Sequence, residues 1–234
     1  MIKDEFIKRS PLRILEESIH GGLGRGNIGV LASRKGVGKT ACLVQIATDK
    51  LFQQKPVIHV SYSSRVDHII GWYEDMFREI AGRLNLESTA EVHDDLIKNR
   101  VIMNFNQEGT RAEQVMRSLE AMITHGKFAA ETIIVDGYNF LHSLPGDLQK
   151  FKDFAGNMGL EVWFSASLKG EEPLFDEAGL PNELKPQLDE IDVLITLRFR
   201  DNRVKLEVVK DRGYPPAGEL KIGLDPATLL IARS

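Results

Sequence analysis

Five short runs of β-branched and apolar residues, separated by longer stretches of helical spacing, restrict the fold more than any other feature of the chain. They are Ile28–Ser33, Val57–Tyr62, Val101–Phe105, Thr132–Asp136 and Glu161–Ser167. Each is short and rich in Val and Ile, as expected for a buried strand. Between them, Ile69, Ile70, Tyr73, Phe77, Ile80 and Leu84 share one helical face, and Thr110 with Glu113 forms a capping-box pattern ahead of Val115, Leu119 and Met122. Strand alternating with helix predicts a mostly parallel sheet covered on both faces.

After Asp192 the rhythm changes. Asp192–Phe199, Arg203–Lys210, Glu219–Leu224 and Thr228–Ala232 follow one another with short turns built from "RDN" and "DRGYPPAG". The expectation is therefore an α/β fold whose mostly parallel central sheet is flanked by helices and carries a C-terminal antiparallel hairpin extension. With 234 residues, 42% of them hydrophobic, the chain can bury one substantial core. Residues 1–20 read as a lead-in and 21–234 as a single domain.

A formal net charge of -4 disfavours a protein that holds nucleic acid chiefly by neutralising phosphates. The single cysteine, Cys42, provides no disulfide framework and no thiolate metal site, and it reads as a small buried residue. The amino terminus has no apolar run of signal-peptide length, and no stretch approaches the roughly 20 apolar residues that span a bilayer. A cytoplasmic, soluble protein is expected. The six histidines are scattered without metal-ligand spacing, and Trp72 and Trp163 suit apolar faces.

The chemistry-bearing motif is "SRKGVGKT", Ser33 to Thr40, which follows the first strand and opens a helical stretch. It matches G-x-x-x-x-G-K-[ST] except that Ser33 stands at the first glycine. Gly36 and Gly38 would let backbone N–H groups turn toward phosphate oxygens, and the N-terminus of the following helix would add partial positive charge. Lys39 would reach the β- and γ-phosphates, Thr40 would place its hydroxyl on Mg²⁺, and Asp136, ending a later strand, would hold the ion through its water shell. The candidate nucleotide-binding set is Ser33, Arg34, Lys35, Gly36, Val37, Gly38, Lys39, Thr40 and Ala41, with Thr40 and Asp136 for the metal.

On these residues, His20 to Ala47 resembles the RecA-like P-loop ATPase superfamily, in the branch of KaiC-like proteins and DnaB-like helicases. The Gly21–Gly26 lead-in is similar to theirs. So is Val208–Ile231, with its Lys-x-Arg pair and Gly/Pro turn. The resemblance implies ATP with Mg²⁺, a homo-oligomeric ring or filament, and Lys210 and Arg212 acting in trans on a neighbour's γ-phosphate beside the catalytic Lys39.

The sequence departs from that pattern where the water-activating glutamate should stand, because Ser63 and Ser64 follow the second strand. Losing a general base costs on the order of 10²–10⁴-fold in rate. Asp67 reads as a helix cap, with Glu74 a more distant alternative base. At the end of the fifth strand only Ser165 and Ser167 could sense a γ-phosphate. Lys169–Asp192, where helicase-like relatives face nucleic acid, carries eight acidic residues against Lys169 and Lys185. The expected function is an Mg-ATP-binding protein of regulatory or assembly role with weak or absent hydrolysis. An active ATPase remodelling DNA or a protein partner, and a scaffold that no longer binds nucleotide, remain the alternatives.

Overall fold

The computed structural model describes residues 7–63, 66–84, 89–107 and 109–233. Among these residues nine strands form one sheet in the order β3-β2-β4-β5-β1-β6-β7-β8-β9. Strands β1 (Ile28–Arg34), β2 (Val57–Ser61), β3 (Arg100–Asn104), β4 (Thr132–Asp136), β5 (Glu161–Leu168) and β6 (Val193–Arg200) pair in parallel. Strands β7 (Arg203–Asp211), β8 (Gly218–Leu224) and β9 (Ile231–Arg233) add antiparallel at one edge. The protein is thus α/β with a mostly parallel sheet and a C-terminal antiparallel set. Asp201 and Asn202 join β6 to β7 with φ of 51° and 60°, the paired positive values that a two-residue hairpin turn of matching twist requires.

The helices divide between the two faces. On one lie α1 (Leu12–Ser18), α2 (Lys39–Phe52), α3 (Val66–Leu84) and α4 (Thr89–Lys98), packed around Leu31, Ile134 and Trp163. On the other lie α5 (Ala112–Thr124) and α6 (Asp147–Met158), packed around Val30, Val135 and Phe164. Among the described residues no helix is long and apolar enough to cross a membrane.

Within the lead-in, Leu12, Leu15 and Ile19 form a helical segment buried in the same core as α2. Their i, i+3, i+7 spacing gives α1 the apolar stripe that docks it. Two local expectations change. In α3 the buried face is Ile69, Tyr73, Met76 and Ile80, while Ile70 is 43% exposed, one position off that stripe; the Leu84 side chain lies outside the described set. The capping box at Thr110 does not form, because α5 starts at Ala112 with Arg111 as N-cap, and Glu113 instead pairs with Lys150 of α6 at 2.6 Å.

Candidate functional site

β1 is buried along all but its last residue and delivers the chain to the C-terminal edge of the sheet. There Gly36 (φ 83°) and Gly38 (φ 117°) adopt left-handed backbone conformations that an L side chain rarely takes. Gly38 is also pressed from outside, since a Cβ there would stand 2.4 Å from Leu224 Cδ1 on β8. It is the N-cap of α2, with no side chain capping the first-turn N–H groups. Those groups have no acceptor within the helix, and the helix dipole makes their end attractive to an anion.

Lys39, 6% exposed, folds back into this turn. Its ammonium donates to Ser33 O at 3.0 Å, Ser33 Oγ at 3.2 Å and Arg34 O at 2.9 Å. Ser33 therefore does more than fit where glycine is usual: its hydroxyl helps hold the lysine. Burial lowers the Lys39 pKa to about 8, against the opposing pull of the Asp136 carboxylate. Arg34 turns outward to pair with Glu172, Lys35 is exposed, Val37 packs against the core and Ala41 is fully buried.

Across the edge, Thr40 Oγ1 donates to Asp136 Oδ2 at 2.9 Å. A hydroxyl and a carboxylate side by side belong to the oxygen donor set that magnesium and its water shell prefer. Ser165 Oγ donates to the other carboxylate oxygen at 2.6 Å and accepts from Gly137 N–H at 2.8 Å. Ser165 thus orients Asp136. Ser165→Ala removes both bonds, with an expected loss of about 1–3 kcal/mol in folding stability. Urea unfolding checks it, and an unchanged midpoint would contradict this role.

Where the usual base would stand, Ser63 is half-buried with its N–H bonded to Ser61 Oγ at 3.1 Å, and Ser64 lies outside the described residues. Asp67 sits in the first turn of α3, where the dipole favours a carboxylate. Glu74 is committed elsewhere, to His93 Nε2 at 2.6 Å and Arg100 at 4.0 Å. One of the six scattered histidines, His59, is a buried structural residue beside this site. Its place in the alternation Val57, His59, Ser61 puts it on the Asp136 face of the sheet, fully buried, with Nδ1 3.0 Å from the Tyr73 hydroxyl. Burial drives its pKa down to about 4, so it is neutral at pH 7.

Lys210 and Arg212 stand at the opposite end of the sheet, beside the start of β6, where Arg212 N–H donates to Asp192 O. The length of β1, about 20 Å, separates them from the loop of their own chain. Lys210 Nζ bonds Leu188 O, while Arg212 pairs with buried Asp211 and donates to the carbonyls of Ile19 and Gly22. Many charges of the acidic Lys169–Asp192 segment are likewise used internally. Glu183 accepts the N–H groups of Lys169 and Gly170, Asp176 pairs with Lys185, and Asp192 pairs with Lys152. Among the described residues no group of three or more His, Cys, Asp or Glu could hold a metal ion on its own. Compared with known proteins, the chain matches no family model and no curated protein significantly.

Proposed function

We propose that the chain is a RecA-like, KaiC-type protein that binds Mg-ATP at Ser33–Ala41, hydrolyses it slowly or not at all, and uses occupancy as a regulatory or assembly signal between protomers. The observation that carries this reading is the 2.9 Å Thr40–Asp136 contact beside the buried ammonium of Lys39 at an uncapped helix N-terminus. Lys39 would neutralise phosphate charge, and the α2 first turn would supply N–H donors. Thr40 and Asp136 would hold the magnesium, whose chemistry is to neutralise the phosphate oxygens. Adenine rests on the resemblance alone.

Slow turnover follows from Ser63 and Ser64 at the position of the usual base, with Glu74 tied to His93 and Arg100. The role of Lys210 and Arg212 in trans needs a head-to-tail stack, in which the far end of one sheet meets the loop end of the next. Arg212 would first leave the carbonyls of Ile19 and Gly22.

The binding reading is tested by its pH dependence. Free Lys39 titrates at about 8, and a bound triphosphate stabilises its charged form, so binding takes up a proton above that pH. Affinity for Mg-ATP is expected to lose its Lys39-dependent plateau above about pH 7 and to fall as pH rises through 8, by up to about tenfold per pH unit. Calorimetry in two buffers of different ionisation enthalpy reads both the affinity and the proton. A constant affinity from pH 7.5 to 9.5, or no binding, would overturn the reading.

A further inference from the structure

Strand β7 carries an exposed aromatic residue near each of its ends. Its start is joined to β6 by the tight turn at Asp201–Asn202, beside which Phe199 is 68% exposed, more than any other large apolar side chain among the described residues. Its end leads into β8 through residues 212–217, where Tyr214 is 52% exposed and Pro215, Pro216 and Ala217 are exposed beside it. Both aromatics are held in place. Phe199 pairs with Val204 across the hairpin, and the Tyr214 ring stacks on His20 with 3.9 Å between centroids. Pre-ordered aromatic groups lose little freedom on docking and serve well as anchors.

The hairpin also rises above its neighbour. Ala32 of β1 is level with Thr196 of β6, so β1 ends level with Arg198 and the tip stands about 7 Å higher. The nine residues of β7 put about 30 Å between tip and turn. A copy shifted by that length along β7 sets the tip of one chain on the turn of the next, a heterologous contact that repeats.

Charge agrees with this arrangement. At the tip Arg203 is exposed with no ion pair among the described residues, and half-exposed Arg200 stands 3.6 Å from Glu219. The nearby Asp201 is taken by Lys205. Beside the turn, Asp189 is exposed and makes no ion pair among the described residues, and it lies near enough to Lys210 to favour that lysine's charge. The cations of that end are engaged: Lys210 with Leu188 O, Arg212 with Asp211 and Lys152 with Asp192. Tip against tip would instead oppose Arg203 to its own copy.

We propose that the β6–β7 tip, with Phe199 as anchor and Arg203 as its charge, docks on the Tyr214–Ala217 turn and Asp189 of a second copy of the chain. The contact rests on the head-to-tail stack of the proposed function and names its surfaces. It brings Lys210 and Arg212 of one copy over the edge where β1 of the next, beside β6, leads into the loop.

The test mixes Phe199→Cys chains with Tyr214→Cys chains under mild oxidation, the native Cys42 being buried. Disulfide-linked dimers are expected in the mixture and in neither variant alone. In sedimentation of the full chain with Mg-ATP, Phe199→Asp is expected to weaken self-association at least tenfold, as loss of an interface anchor does. Arg203→Glu is expected to weaken it severalfold, and adding Asp189→Arg to restore it. Phe199→Cys cross-linking to itself, unchanged self-association in Phe199→Asp, or a wild type that stays monomeric would overturn the proposal. Calorimetry on dilute Phe199→Asp separates this from the nucleotide reading. Mg-ATP binding without cross-links in the mixture overturns the interface alone, whereas cross-links without Mg-ATP binding overturn the nucleotide reading and support the interface.

Discussion

Lys39→Met is expected to lower the affinity for Mg-ATP by about a hundredfold while leaving the fold intact. A hydrogen bond to a charged partner contributes about 1.5–3 kcal/mol, and each 1.4 kcal/mol is a factor of ten in affinity. The folded state should tolerate the change. The ammonium is buried at a desolvation cost that lowers its pKa to about 8, and methionine keeps the apolar stem while removing that cost. What the variant loses in the free protein are the bonds to Ser33 and Arg34. Melting and equilibrium binding measured side by side separate the two effects. Unchanged affinity would mean that the loop holds no phosphate and that the chain is a scaffold.

The largest structural effect is expected at Gly29. It lies beside Trp163 on the neighbouring strand, and a Cβ at that position would stand 2.4 Å from the indole carbon Cε3. Trp163 is 3% exposed and locked between sheet and helices, so the ring cannot swing aside as a flexible side chain would. Overpacking of this kind costs about 1–3 kcal/mol, sometimes more, and Gly29→Ala is placed at about 3 kcal/mol. For a chain of this length that lowers the melting temperature by about 6–12 °C. Adding Trp163→Leu should recover part of the loss, because the two residues share one contact. Melting curves of the two singles and the double decide it. Additive losses would contradict the account. The pair matters to the site as well, since β1 leads into the loop and β5 carries Ser165 against Asp136.

The parallel sheet was legible because its inner strands β1, β2, β4 and β5 are buried nearly throughout and read as short apolar runs, and Thr132–Asp136 keeps the same bounds in the structure. The N-terminal helix was overlooked although Leu12, Leu15 and Ile19 repeat at helical spacing, because its polar residues dominate by count. Of the site, Gly36–Thr40 and Asp136 could be named from a motif and a strand end. The roles of Ser33 on Lys39 and of Ser165 on Asp136 could not, since each depends on which strands become neighbours. Thr110 misled because a capping box competes with tertiary pairing, and Lys150 wins Glu113.

The measurement that bears most directly on the central claim is a trapping experiment. Purified protein is incubated with radiolabelled Mg-ATP, the bound fraction is retained on a filter, and the retained nucleotide is resolved as ATP or ADP over time. The account predicts retained ATP that stays intact over many minutes, with retention lost in Lys39→Met. Rapid conversion to ADP with release of phosphate would contradict it, and so would the absence of any retained nucleotide.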